Sequence, residues 1–348
     1  MQQNYRIVAF WRFCVIQMPY LRMIKYLVQA GPTHPKHGGG LSCIHSTSFP
    51  IHPLLSFIVH YSIVIPVIFV VHDVFFISSS AAETHRVQHE ETIQRQMYIS
   101  RFIFIYTLIL FTTRCASSFR AGRLRQHAVM YELTWLCNST LLIGSITFGA
   151  FDYDDGTSTT NWVFRRRPLV ATACCIGVSI DQVLWYIDLV GYLVCGKFPV
   201  GVMKYLTWSQ TLWIDRLTCT HHLWTMPSFI YASNNELGLD SFKLSVCIVT
   251  IHVCLSRWLT PHCIQVIKSE EAAADGTTSD PHKFRYLNVN LCHELWRDIT
   301  FSFLQISHDK PPSWLYLMRL LWRWQLFNYL VFVGILSPLS KIGLVSLL

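Results

Sequence analysis

The chain has 348 residues, 52% of them hydrophobic and only 14% charged, with a net charge of +8 and a mean hydropathy of +0.34. A water-soluble protein of this length carries about 25% charged residues, so the soluble globular class is excluded as the leading reading and a single membrane domain is expected. The positive charge lies in loops between apolar runs, which points to membrane orientation and anionic headgroups and away from nucleic acid.

Residues 1–48 are semi-apolar, interrupted by Arg6, Arg12, Arg22 and Lys25, and end in the loop-like run Gly31–Gly40. They read as an interfacial or cytoplasmic lead-in, with a targeting peptide as the alternative and no secretory cleavage pattern. A spanning helix needs about 20 mostly apolar residues. Seven runs qualify: Pro53–Ser78, Met97–Thr113, Ala128–Phe151, Pro168–Cys195, Leu217–Ala232, Phe242–Leu259 and Trp314–Pro338. The second and fifth are short, and Pro66 and Pro227 predict kinks. The fold class expected is therefore all-α, a polytopic membrane helix bundle of about seven spans. It divides into a six-span core over residues 49–260, a cytoplasmic loop over 261–312, and a last span with the C-terminus over 313–348.

Lys and Arg set the orientation. Arg114, Arg120, Arg123, Arg125, Lys197 and Lys204 fall on one side with the N-terminus, opposite Asp152, Asp154 and Asp155, which predicts N-in and C-out. The run Arg165–Arg167 lies against that bias. In the loop Pro261–Pro312, Ser269–Asp280 has a disordered composition. Leu291, Leu295, Ile299 and Phe303 then recur every four residues, an amphipathic helix expected along the inner membrane surface. The 12 cysteines show no spacing of a disulfide framework.

Ionisable residues inside a span are costly and mark function by default. Asp181 and Asp188 stand two turns apart in the fourth span, on the face that also carries Trp185 and Tyr192. They read either as helix-locking partners of Arg216 or a histidine, or as a proton or cation path. His221 and His222 point about 100° apart on a helix, so one at most faces a given site. Each reads as a helix–helix hydrogen bonder, a base or a metal ligand. Cys137 lies in Trp135-Leu136-Cys137-Asn138, and a buried thiol is ordinarily a small hydrophobe. At about 1.5 Å per residue, Cys137 lies roughly 15–18 Å deep, His222 roughly 9 Å and Asp188 roughly 12 Å. A thiol, an imidazole and a carboxylate at one level are the parts of a nucleophile, base and orienter set. Thr134, one turn before Cys137, is the substitute nucleophile.

Trp-Leu-Cys-Asn followed by an apolar run, with His-His-Leu-Trp-Thr-Met-Pro on a later helix, resembles the YwaF-like bacterial membrane proteins and their eukaryotic relatives over roughly residues 130–235. Those relatives include an acyltransferase of ether phospholipids with a membrane Cys and His, and more distant lipid hydrolases that use Thr with His. The resemblance implies that Cys137 accepts the acyl group and that His221 or His222 is its base. The doubled histidine departs from the family pattern and leaves that choice open. Asp188 comes from depth alone.

Two rival motifs exist. His293 and Asp298 have the His-x4-Asp spacing of glycerolipid acyltransferases, without the downstream phosphate-binding block. His85, His89 and the His221-His222 doublet are fragments of a di-iron set whose other boxes are missing. The expectation is a membrane enzyme acting on lipid acyl chains, with Cys137 as nucleophile, His222 as base, His221 as its neighbour and Asp188 as orienter. The alternatives are a proton-coupled transporter built on Asp181 and Asp188, or a non-catalytic scaffold. Membrane lipids are the expected partners; no cofactor, metal or nucleic acid is called for.

Overall fold

Apolar runs become helices because a helix satisfies its own backbone N–H and C=O groups where water cannot. The computed structural model describes residues 52–76, 90–120, 129–150, 167–207, 213–233, 237–261, 263–267, 282–286, 289–293 and 313–341. The helices are α1 (Pro53–Phe75), α2 (Glu90–Arg120), α3 (Leu136–Phe148), α4 (Pro168–Gly177), α5 (Ser179–Cys195), α6 (Trp213–Thr218), α7 (His221–Ser233), α8 (Leu239–Leu259), α9 (Ser313–Val331) and α10 (Ser337–Lys341), the last two joined by a wider π-type turn at Phe332–Leu336. Two short strands, β1 (Cys263–Ile267) and β2 (His282–Tyr286), pair antiparallel between α8 and α9.

The centre is α4, buried at every residue from Val170 to Gly177. Its small residues Ala171, Ala173 and Gly177 let α8, α3 and α7 pack closely around it. Gly144 on α3 does the same for α7, since a Cβ there would overlap the Phe229 ring. Gln96 donates to the Ala232 carbonyl at 3.0 Å and Tyr106 to that of Thr218 at 2.9 Å, so α2 runs antiparallel to α6 and α7.

Three breaks interrupt the apolar runs, and each is stitched by polar side chains. At residues 133–135 the Leu133 carbonyl accepts from Tyr61 at 2.8 Å, the Thr134 carbonyl accepts from Asn290 Nδ2 at 3.2 Å, and Leu136 N–H donates to Asn290 Oδ1 at 2.7 Å. At Val178, where α4 and α5 meet at 49°, the Gly177 carbonyl accepts from Trp324 Nε1 at 3.1 Å and Asn328 Nδ2 at 2.9 Å, and Ile180 N–H donates to Asn328 Oδ1 at 3.0 Å. At residues 219–220 the Thr218 carbonyl takes the Tyr106 hydroxyl and the His221 ring N–H.

Among the described residues four helices, Pro53–Phe75, Ile93–Ala116, Leu239–Leu259 and Trp314–Ser340, are long and apolar enough to cross a membrane, or five if the bent pair α4–α5 counts as one span. The sequence expects seven. Two of its runs differ: the third is helical at 129–132, breaks at 133–135 and resumes as α3 with 13 residues, and the fifth is divided between α6 and α7.

Several polar expectations also change. Arg114 belongs to no loop; it is buried on α2. Arg167 is buried too, with Nε 3.1 Å and Nη2 2.9 Å from the two Asp73 oxygens and its guanidinium 4.2 Å above the Phe69 ring, so it does not count as an outer-loop charge. His293 is held by Arg257 at 2.7 Å and the Thr260 carbonyl at 2.8 Å. Residues 1–48, His85, His89, Arg165, Arg166, Ser269–Asp280, Leu295, Asp298, Ile299 and Phe303 lie outside the described residues. Leu291 belongs instead to a tight 3-10 turn, Val289–Leu291.

Candidate functional site

Each break starts a new helix, and the starts of α3, α5 and α7 carry the candidate residues. Cys137 is the second residue of α3, Asp181 and Gln182 lie in the first turn of α5, and His221 and His222 open α7. The Cys137 sulfur and one ring nitrogen from each of His221 and His222 all lie within 4.8 Å of one another. The depth count put Cys137, His222 and Asp188 at one level on continuous helices and left their convergence an assumption. One histidine at most was expected at a given site; both meet the thiol. The structure reaches this meeting through breaks.

The imidazoles differ in how they are held. His221 Nδ1 is 2.6 Å from the Thr218 carbonyl, so Nδ1 must carry the proton and Nε2 the lone pair. That Nε2 is buried with no hydrogen-bond partner. The His222 ring stacks on Trp185 at 5.6 Å and 17°. Its Nδ1 lies 2.7 Å from the Gln182 carboxamide nitrogen and 3.7 Å from Asp181 Oδ2. With its nitrogen inward the carboxamide donates to Nδ1. With its oxygen inward it accepts from Nδ1–H, and Nε2 then holds the lone pair. The two rings are 4.2 Å apart.

Some neighbours of Cys137 offset part of what burial and the nearby Asp181 cost a thiolate there. The first-turn amides of α3 have no carbonyl four residues back within the helix, and the Asn138 amide is directed at the Cys137 sulfur. The partial positive ends of three helices face the same region. Arg114, whose Nε donates to Thr218 Oγ1 at 2.8 Å and Nη2 to Cys219 Sγ at 3.5 Å, acts electrostatically on Cys137 and both imidazoles. The site is not sealed. Cys137 is half-buried, unlike Cys174, Cys175, Cys219 and Cys292, and Asp181 keeps 35% of its side-chain surface open.

Asp188 is not the orienter. Its Oδ1 accepts from Val200 N–H at 2.7 Å and Gly201 N–H at 3.0 Å, and its Oδ2 from Gly201 at 3.0 Å and Met203 at 2.9 Å. A carboxylate bonded to that many amides has no capacity left for an imidazole, and it serves to fold the 196–203 loop back on α5. Gly191 makes room, since a Cβ there would overlap Pro199. The neighbour of His222 is Asp181, two turns earlier on the same face. Thr134 gives its hydroxyl to the Tyr131 carbonyl at 2.7 Å and is fully buried, a poor substitute nucleophile. Arg216 is buried on α6, and neither described aspartate of α5 pairs with it.

Sequence reasoning missed Gln182, Arg114 and Asn290. Gln182 carried the one available signal, a carboxamide beside Asp181 in an apolar run. No protein-family model, curated protein or solved structure matches the chain.

Asn290 holds a left-handed backbone (φ 53°), which asparagine tolerates better than most residues. Its side chain ties the start of α3 to Ser256 of α8 at 2.8 Å. Asn290→Ala should destabilise the protein by about 1–2 kcal/mol, the usual scale for a lost helix cap. It should also slow alkylation of Cys137 while leaving the exposed Cys195 at its wild-type rate, as read by peptide mass spectrometry. Unchanged Cys137 alkylation would show that the bridge does not position the thiol.

Proposed function

We propose that the chain is a multi-pass membrane enzyme that moves or hydrolyses lipid acyl groups through a thioester on Cys137. The observation that carries this reading is the meeting of one thiol and two imidazoles within 4.8 Å at three helix starts. Buried thiols are mostly inert because a thiolate is needed and an apolar setting opposes it. Here the Asn138 amide and the Arg114 charge offset part of that cost, and an imidazole lies beside the thiol to take the proton.

In the proposed reaction His222 removes the Cys137 proton as sulfur attacks the ester carbonyl of a lipid. The S–C bond forms, the ester C–O bond breaks, and the imidazolium returns the proton to the departing alcohol oxygen. Asp181, with Gln182, orients His222 and stabilises its charged form, the role a third group plays in thiol and serine triads. The amides of Cys137 and Asn138 face the oxygen that gains charge. A lipid hydroxyl or water then attacks the thioester, with His222 again as base. His221 presents a fixed lone pair beside the sulfur. The resemblance to the YwaF-like proteins and their Cys/His acyltransferase relatives agrees with these roles. A proton-coupled carrier retains only Asp181, because Asp188 is fully occupied by backbone amides.

Seven passes require α3, and the divided run of α6 and α7, each to traverse the bilayer. Gly122→Cys and Asp154→Cys, probed with an impermeant maleimide on closed vesicles, should then react from opposite sides above the native-thiol background. Reaction from one side would remove α3 as a pass.

A thiol-reactive acyl-lipid probe should label Cys137 in the wild type and lose that label in Cys137→Ser. His222→Ala should slow labelling about 10²–10⁴-fold, the usual worth of a general base, and His221→Ala by less than about tenfold. The reverse order would assign the base to His221. Equal labelling of Cys137 in both histidine variants and wild type would overturn the reading.

A further inference from the structure

The same three donors have a second chemistry. We propose that Cys137, His221 and His222 form a three-coordinate site for a soft monovalent metal ion, the cuprous ion, in preference to a divalent ion such as zinc. The donors are one thiolate and two imidazoles, a set that suits copper and zinc on softness alone. Three features make it a built site. The sulfur and the two ring nitrogens lie within 4.8 Å of one another. His221 is buried, and its Nδ1–H is fixed on the Thr218 carbonyl, which leaves Nε2 unprotonated, unpartnered and available as a ligand. His222 Nδ1 lies 2.7 Å from the Gln182 carboxamide, which holds Nδ1–H and frees Nε2 as a ligand when it presents its oxygen. A backbone carbonyl and a carboxamide on the far ring nitrogens are the outer partners that orient metal-binding histidines.

Electrostatics selects the ion. Metal binding releases the thiol proton to solvent, so a cuprous ion and the Cys137 thiolate make a neutral pair. A zinc ion at the same place leaves one positive charge beside Arg114 and three helix N-termini. Asp181 at 3.7 Å from His222 Nδ1 offsets part of that charge, and its own partial exposure weakens the effect. Zinc also favours four ligands, and no fourth Cys, His, Asp or Glu joins the cluster among the described residues. Bonds of about 2.0–2.3 Å, the range for imidazole nitrogen and thiolate sulfur on zinc, would bring three donors to roughly 3.5–4 Å apart. Closure of about 1 Å is therefore required, within reach of rotations of the Cys137 and histidine side chains. If the acyl-transfer reading holds, the ion and the acyl group compete for one sulfur, and cuprous ion is a reversible inhibitor.

The test is anaerobic titration of the purified full-length protein in detergent with cuprous ion buffered by a competing chelator. The readout is protection of each cysteine from alkylation, measured by peptide mass spectrometry. Cys137 should become protected with a single midpoint while Cys195 does not. In His221→Ala and His222→Ala the Cys137 midpoint should move to at least tenfold higher free cuprous ion, a comparison unaffected by any slower basal alkylation. Zinc should protect Cys137 only at higher free concentration. X-ray absorption of the one-equivalent complex should show one sulfur and two nitrogen neighbours. Protection of Cys137 that ignores both histidines, tighter protection by zinc, or none at all would overturn the proposal. Protection without lipid-probe labelling would fail the acyl reading and leave the metal site standing. Labelling without protection would do the opposite.

Discussion

A helix that breaks in apolar surroundings must give its freed N–H and C=O groups to other partners, because no water is there to take them. The chain breaks at residues 133–135, at Val178 and at residues 219–220, and each break is answered from elsewhere in the fold. Asn290, with Tyr61, closes the first, Asn328, with Trp324, the second, and Tyr106 the third. Each unmet group would cost on the order of 1–3 kcal/mol, so these few side chains fix where α3, α5 and α7 begin. Everything proposed for the site follows from those starting points.

The breaks also create the electrostatics. A continuous helix buries its dipole ends at the membrane surfaces, far from its middle. A helix that restarts inside the protein presents its positive end there. Three such ends and Arg114 lie around one half-buried thiol, with two buried imidazoles beside it. The arrangement suits an anion that forms and disappears, which is what a thiolate nucleophile and a tetrahedral intermediate require. Asp188 shows the same logic at another place: its charge is buried at no great cost because backbone amides of the 196–203 loop converge on it. The bidentate pair of Arg167 and Asp73 is a third example, with both charges used for packing.

The seven apolar runs were legible, and each contains helix in the structure, since hydropathy reports burial directly. Their breaks were not. Residues 133–135 are Leu, Thr and Trp, without the proline or glycine that punctuates a chain, and at the second break the one such residue is Gly177, just before the β-branched Val178. The partners that stabilise the breaks lie far away in sequence, Asn290 more than 150 residues from Leu136. Cys137, His221 and His222 were legible as chemistry, because a thiol and a histidine doublet stand out in apolar runs. The assignment of Asp188 failed for a definite reason. A seven-residue spacing puts Asp181 and Asp188 on one face, yet only the fold tells which carboxylate meets a side chain and which meets amides. Gly196 and Gly201, both with positive φ, were the available hint that the next loop turns back. The two strands between α8 and α9 were hidden in a polar stretch with no clear alternation.

The central claim is that Cys137 carries an acyl group through a thioester. The most direct measurement is mass spectrometry of the Cys137 peptide after the full-length protein has been incubated in vesicles with a lipid bearing an isotope-labelled acyl chain. The account predicts a labelled acyl mass on Cys137 that neutral hydroxylamine removes, and that builds up when acceptor lipid is withheld. A Cys137 peptide that stays unmodified while labelled acyl groups still leave the lipid would contradict it.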